Sequence, residues 1–355
     1  MNSPFKFLEP YGKNDFAFFY GRDKETAQLY NAVHASDLTL LYGGSGTGKT
    51  SLINCGLANK FYDTDWLPIF IRRRDNLNQS IKEALDKVLA ESPETMNEDN
   101  STLTIERKLN LLYLDYFKTI YLIFDQFEEI FILGTQAEQQ LFYETVDKLL
   151  KTKGLHVKIL ISIREEWIAY LNDFEKVVPF LFDNRMRVEK MTADNLFQVV
   201  AGTLHHAGVE VEDLDDTVEA ILDNIRVKKE GIELTNLQVY LDRVFRKASE
   251  NLVGDKVIFT PSVVQQVGKM ENVVSEFLDE ELNKIETKMA SRGVKNTKGL
   301  PLEILFSLVS DDGTKQALAA QDIIENLPPN RRLSPEDVLF CLNEFKNIRI
   351  LKDVE

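Results

Sequence analysis

One run of residues carries recognisable chemistry: Gly43-Gly44-Ser45-Gly46-Thr47-Gly48-Lys49-Thr50, followed by Ser51. Glycines at 43, 44, 46 and 48 let the backbone turn its N–H groups inward. There they cradle phosphate oxygens at the start of a helix. The Lys49 ammonium reaches the outer phosphates, and the Thr50 hydroxyl is a ligand for Mg²⁺. The bland alternative is a flexible glycine-rich turn with a solvated lysine. The context argues against it, because the β-prone run Leu38–Tyr42 precedes the loop and the helical run 51–55 follows.

A second group lies in Ile123–Ile130, which ends an apolar run with carboxylates at Asp125, Glu128 and Glu129. Asp125 at the strand tip is placed to hold Mg²⁺ directly or through water. Glu129 is the candidate general base for an attacking water, with Glu128 as the neighbour that orients it. The competing reading makes the two glutamates helix-start decoration, where acids are favoured anyway. Arg164 ends another apolar run, 157–163, and can sense a terminal phosphate through charge-assisted hydrogen bonds. Otherwise it is a surface arginine opening the next helix. Arg72-Arg73-Arg74 follows a further strand and reads chiefly as solvated loop charge. His205 and His206 lie in a helical stretch without other ligands at metal spacing.

Strands are expected at 38–42, 66–71, 119–124 and 157–163, with a possible fifth at 186–188. Amphipathic helices fall between them, among them 103–117 and 138–151. Asp23 is the expected N-cap of the helix preceding the phosphate loop. The alternation argues for an α/β fold with a parallel sheet and right-handed crossovers. Ligands of such sheets sit off the carboxyl ends of the strands. Residues 1–20, rich in phenylalanine and broken by Pro4, Pro10 and Gly12, read as an extended arm. From Thr192 the strand signal fades into helices, with a boundary expected at 251–255. Helices follow at 260–267, 273–289, 301–310, 316–327 and 334–345, with a turn at 311–314. A closing strand at 348–352 makes that last part winged-helix-like. The expected division is a P-loop NTPase domain with its arm (1–190), a helical lid (191–252) and a winged-helix-like domain (253–355).

The net charge of −15 disfavours a large nucleic-acid footprint. No charged-then-apolar leader or apolar run of ~18 residues is visible, so no membrane span is expected. Cys55 and Cys341 lack metal or redox spacing and read as reduced thiols of a cytoplasmic protein.

Phe19–Asp23, the phosphate loop, Phe124–Glu129, Ser162–Arg164 and Gly231–Gln238, in that order, resemble one family. The chain resembles the STAND ATPases, relatives of AAA+ proteins, and within them the bacterial antiviral-defence-like branch with a D-Q-x-E-E motif. The resemblance implies that Tyr20, Gly21 and Arg22 contact adenine and sugar, joined by Leu234 and Gln238 from the helical part. It implies bound ATP or ADP with Mg²⁺, slow hydrolysis, and self-association on activation. It further implies sensor and effector modules outside this chain. Two features depart from the pattern. Thr235 stands where a proline often follows the leucine, and all four histidines precede the third part, so a histidine latch there is not expected. The chain stops just after a lone wing strand, which points to an excised core of a longer protein. The competing functions are an AAA+ DNA-loading or origin-recognition-type ATPase and a non-hydrolysing, ADP-bound scaffold.

Overall fold

The computed structural model describes all residues except 1–2, 7–8, 92–101, 227–230, 251–255, 310–315, 317, 348–349 and 352–355. The chain divides into two compact units, Met1–Gln266 and Val267–Glu355. The first unit begins with the arm, whose Phe5 is buried against Phe245 and Phe259. A 3₁₀ segment, Lys13–Phe18, leads to α1 (Asp23–Ala35). Arg22, not Asp23, holds the N-cap position of α1. The chain turns at Gly21 (φ +73°) and draws the Arg22 side chain inward, which leaves Asp23 in the first helical turn.

Strand β1 (Leu38–Gly43) enters the phosphate loop, and α2 (Lys49–Ser51) leaves it. The helix expected over 51–55 continues, but as a π-helical turn spanning Leu52–Leu57. Then follow β2 (Trp66–Ile71), α3 (Leu77–Ala90), α4 (Ile105–Tyr116) and β3 (Thr119–Phe124). The short α5 (Glu129–Ile132) and long α6 (Gln136–Lys151) lead to β4 (Val157–Arg164). After a 3₁₀ stretch, Glu165–Leu171, come α7 (Asn172–Val177) and β5 (Arg185–Arg187).

The five strands pair in parallel in the order β2-β3-β4-β1-β5. Alternate side chains point to opposite faces. Leu40, Leu122, Phe124 and Ile161 join one core, and Leu41, Tyr121, Ile123 and Leu160 join the other. With both faces covered, β3 is apolar along nearly its whole length, as a buried parallel strand must be. The register places Gly43 opposite Arg164 and Phe124 opposite Ile161, so the residues that follow these strands share one edge.

Beyond the sheet, α8 (Ala193–His206), α9 (Leu214–Ile225) and α10 (Leu234–Ser249) form the helical part. Strand pairing does not end at the sheet, contrary to the fading signal after Thr192. β6 (Glu210–Val211) and β7 (Ile258–Phe259) form a parallel pair, too short to show periodicity in the sequence. Helix α11 (Pro261–Val267) lies at the division between the units.

The second unit packs α12 (Met270–Ser291), α13 (Leu300–Ser307), α14 (Ala320–Asn326) and α15 (Pro335–Asn347) around Ile285, Met289, Ile304, Ile323, Cys341 and Phe345. Ser334 caps α15, its Oγ accepting from Asp337 N at 3.2 Å. The boundary at 251–255 and the turn at 311–314 lie outside the described residues. So does the greater part of the closing strand, at 348, 349 and 352.

Candidate nucleotide site

The loop between β1 and α2 adopts a backbone that only glycine takes without strain. Gly46 has φ +68° and Gly48, the N-cap of α2, has φ +89°. At Gly43 a Cβ would stand 2.3 Å from Val188 O, so the strand and the chain after β5 meet there without room for a side chain. The loop's carbonyls are held from several directions. Lys49 Nζ donates to Gly43 O at 2.7 Å and Gly44 O at 3.1 Å. Leu234 N donates to Gly46 O at 3.2 Å. Arg22 donates to Thr47 O at 2.9 Å and to Glu189 O at 2.8 Å. Among the described residues, the N–H groups of Ser45, Gly46 and Thr47 have no protein acceptor. A loop with its acceptors occupied and its donors free is chemically suited to an anion.

Asp125 follows β3 and is buried. Its Oδ2 accepts from Thr50 Oγ1 at 2.9 Å, which brings two hard oxygen donors together, the combination that suits Mg²⁺. The chain then turns through Gln126 (φ +59°), and Phe127 N bonds Ser162 O at 2.9 Å, fixing the turn to β4. Glu128 is also buried. Its Oε1 lies 3.0 Å from Arg164 Nε, and its Oε2 accepts from Arg164 N at 3.2 Å. Glu129 opens α5 half-buried, and its carboxylate has no hydrogen-bond or ion-pair partner among the described residues. Burial pushes its carboxyl above the usual range. Glu128 and Asp125 add to the rise, while Arg72 and Arg73 oppose it. Burial also lowers the Lys49 ammonium, against the pull of Glu128 and Asp125.

The arginine triplet after β2 departs from the expectation of solvated charge. Arg72 reaches the site, its guanidinium 3.4 Å from Asp125 Oδ2. Arg73 forms a buried pair with Glu138, with Nε 2.9 Å from Oε1 and a terminal nitrogen 3.0 Å from Oε2. Arg74 fits the expectation, exposed and loosely paired with Glu83 at 3.7 Å, and Arg72 is exposed as well although it reaches the site. Arg72 was missed although a signal existed. It directly follows a strand of the sheet and so stands at the same edge as Asp125 and Arg164.

The loop, Lys49, Thr50, Asp125, Glu128, Glu129, Arg164 and Leu234 therefore come together. The residues expected at the adenine have other partners. Tyr20 lies against α8, where a Cβ on Gly202 would stand 2.9 Å from its ring, and Gly21 meets Asn195 O. Arg22 is spent on the backbone of the loop and of Glu189, and pairs with Glu25. Ser51 Oγ accepts from Tyr11 N at 3.1 Å, and Gln238 Oε1 accepts from Lys6 N at 3.3 Å. Both residues are thus tied to the arm.

A phosphate loop after β1 of a parallel sheet, faced by an aspartate from the end of β3, defines a P-loop NTPase. The family model described as novel STAND NTPase 1 matches residues 4–338, and the chain belongs to that family. The fold is similar to a Walker-type ATPase of Pyrococcus abyssi at 16% identity and a TM-score of 0.52, covering 95% of this chain and 92% of that one. It is also similar to the Aeropyrum pernix ORC2 protein in its ADPNP–ADP complexes at 12% identity and a TM-score of 0.50, covering 93% and 94%. No curated protein matches the sequence. Among the described residues no helix is long and apolar enough to cross a membrane.

Proposed function

We propose that this chain is the ATP-binding, slowly hydrolysing core of a cytoplasmic signalling or defence switch. In this reading residues 1–190 bind the nucleotide, 191–252 form a lid, and 253–355 form a winged-helix-like domain. The observation that carries it is the bond from Thr50 Oγ1 to Asp125 Oδ2 at 2.9 Å beside an anion-ready loop. Thr50 and Asp125 would hold Mg²⁺, which when bound neutralises charge on the transferred phosphate. Lys49 turns from the loop carbonyls toward the outer phosphates. Glu129, in its ionised form, accepts the proton of the attacking water. Glu128 fixes Arg164 at the level of Gly43, where its guanidinium registers the terminal phosphate. Family membership supports the rest of the reading: ADP keeps the chain monomeric, ATP with a trigger drives self-association, and sensor and effector modules lie outside it.

The test is to identify the copurifying nucleotide and then measure mass by light scattering with ADP and with a non-hydrolysable ATP analogue. A larger species with the analogue only is expected, and Lys49→Ala should bind about 10- to 100-fold more weakly and not assemble. Equal masses in both nucleotides would refute the switch, and unimpaired binding by Lys49→Ala would refute the site. A DNA-loading role is less well supported. Helix α15 carries Glu336, Asp337 and Glu344 against the single cation Lys346, a poor composition for reading a groove.

A further inference from the structure

Glu233 occupies the N-cap of α10, where a side-chain oxygen ordinarily accepts from the first free amides of the helix. It makes no such bond. Its side chain lies on the phosphate loop instead. A Cβ built on Gly46 would stand 3.2 Å from both Cβ and Oε2 of Glu233. The following residue fixes this placement. Leu234 N donates to Gly46 O at 3.2 Å, and Leu234 Cδ1 is 3.0 Å from where a Gly48 Cβ would be. Glu233 is only partly exposed, and among the described residues no cation pairs with it. A neutral side chain would fill the same space beside Gly46. The carboxylate instead sets a negative charge, without an ion-pair partner among the described residues, beside a loop whose free donors favour anions.

We propose that Glu233 is a specificity-determining residue that makes the loop favour a nucleoside diphosphate over the corresponding triphosphate. The proposal rests on the reading of this loop as the nucleotide site. A fixed carboxylate repels each bound phosphate, and the repulsion grows with the charge the ligand carries. The third phosphate adds charge that the diphosphate lacks, so the triphosphate bears the larger penalty. Because Glu233 and Leu234 begin α10, that penalty acts on the first turn of this helix. The loop thereby reports the number of phosphates to the helical part.

The experiment is calorimetric titration of the full chain with ADP and with a non-hydrolysable ATP analogue, both in magnesium-free buffer and both with magnesium. In Glu233→Gln the affinity ratio of analogue to ADP should rise roughly threefold to tenfold over wild type. Glu233→Lys should raise it further, and the difference should shrink in high salt as screening removes the repulsion. An unchanged ratio in both variants would overturn the proposal while leaving the nucleotide site intact. Equal loss of both nucleotides would reduce Glu233 to a packing role and also overturn it. Wild-type protein that binds neither nucleotide would overturn the proposal together with the reading beneath it.

Discussion

Arg164 grips Glu128 twice, through its side-chain Nε at 3.0 Å and its own backbone N at 3.2 Å. A carboxylate held by two donors and buried at the end of the sheet is poorly placed to accept a proton from water. Its neighbour Glu129, which lacks such partners among the described residues, is better placed. In the proposed function the pair would therefore divide into a positioning acid, Glu128, and a proton-accepting acid, Glu129.

Glu129→Gln should retain nucleotide binding and lower steady-state phosphate release by about 100- to 10,000-fold. Unchanged release would defeat the assignment. Because burial raises the Glu129 carboxyl, the base form is lost as pH falls through a value above the ordinary ~4.3. The acid limb of kcat is expected there. The same shift means that the fold favours the protonated acid, a contribution lost as pH rises through the raised value. Glutamine resembles the protonated form, so the variant should melt at a higher temperature than wild type at neutral pH.

Arg72 and Thr50 share Asp125 Oδ2. A guanidinium at 3.4 Å competes with a metal for that oxygen. Arg72→Ala should therefore lower the Mg²⁺ concentration for half-maximal turnover, roughly twofold to fivefold given the partial exposure of the side chain. A higher Mg²⁺ requirement would show that Arg72 assists the metal rather than opposing it.

Arg22 is 3% exposed and donates to carbonyls of Thr47 and Glu189. Arg22→Ala would leave both acceptors, and Glu25, without this partner. Chemical denaturation should show a loss of about 2–4 kcal/mol. Lysine cannot reproduce the forked contact, so Arg22→Lys should recover only part of it. A loss within 0.5 kcal/mol, typical of a surface site, would contradict the clamp.

Glu138 is 5% exposed, pairs with Arg73 and accepts from Leu77 N at 2.7 Å. Truncating one partner of a buried pair strands the other, so Glu138→Ala should cost about 3–5 kcal/mol. Glu138→Gln keeps an acceptor for Leu77 N and should cost less. The same denaturation series measures both.

Much of this arrangement is readable from local sequence. The phosphate loop, the acids at 125–129 and Arg164 are confined to short motifs next to apolar runs long enough to show strand character. What escaped lies in partnerships between distant residues. Arg72 meets Asp125 across 53 positions, Arg73 meets Glu138 across 65, and Arg22 meets Glu189 across 167. A basic triplet looks alike whether its members are solvated, buried or facing a carboxylate, because the deciding partner is elsewhere in the chain. The two-residue strands β6 and β7 have no period to detect. Glu233 looks like an ordinary helix-start acid until Gly46 is found beside it.

The arm touches two elements at once. Tyr11 N reaches Ser51 behind the loop and Lys6 N reaches Gln238 on α10, while Phe5 lies against Phe245 of that same helix. Phe5, Lys6 and Tyr11 thus stitch the helix after the phosphate loop to α10, a second seam beside the direct bond from Leu234 N to Gly46 O.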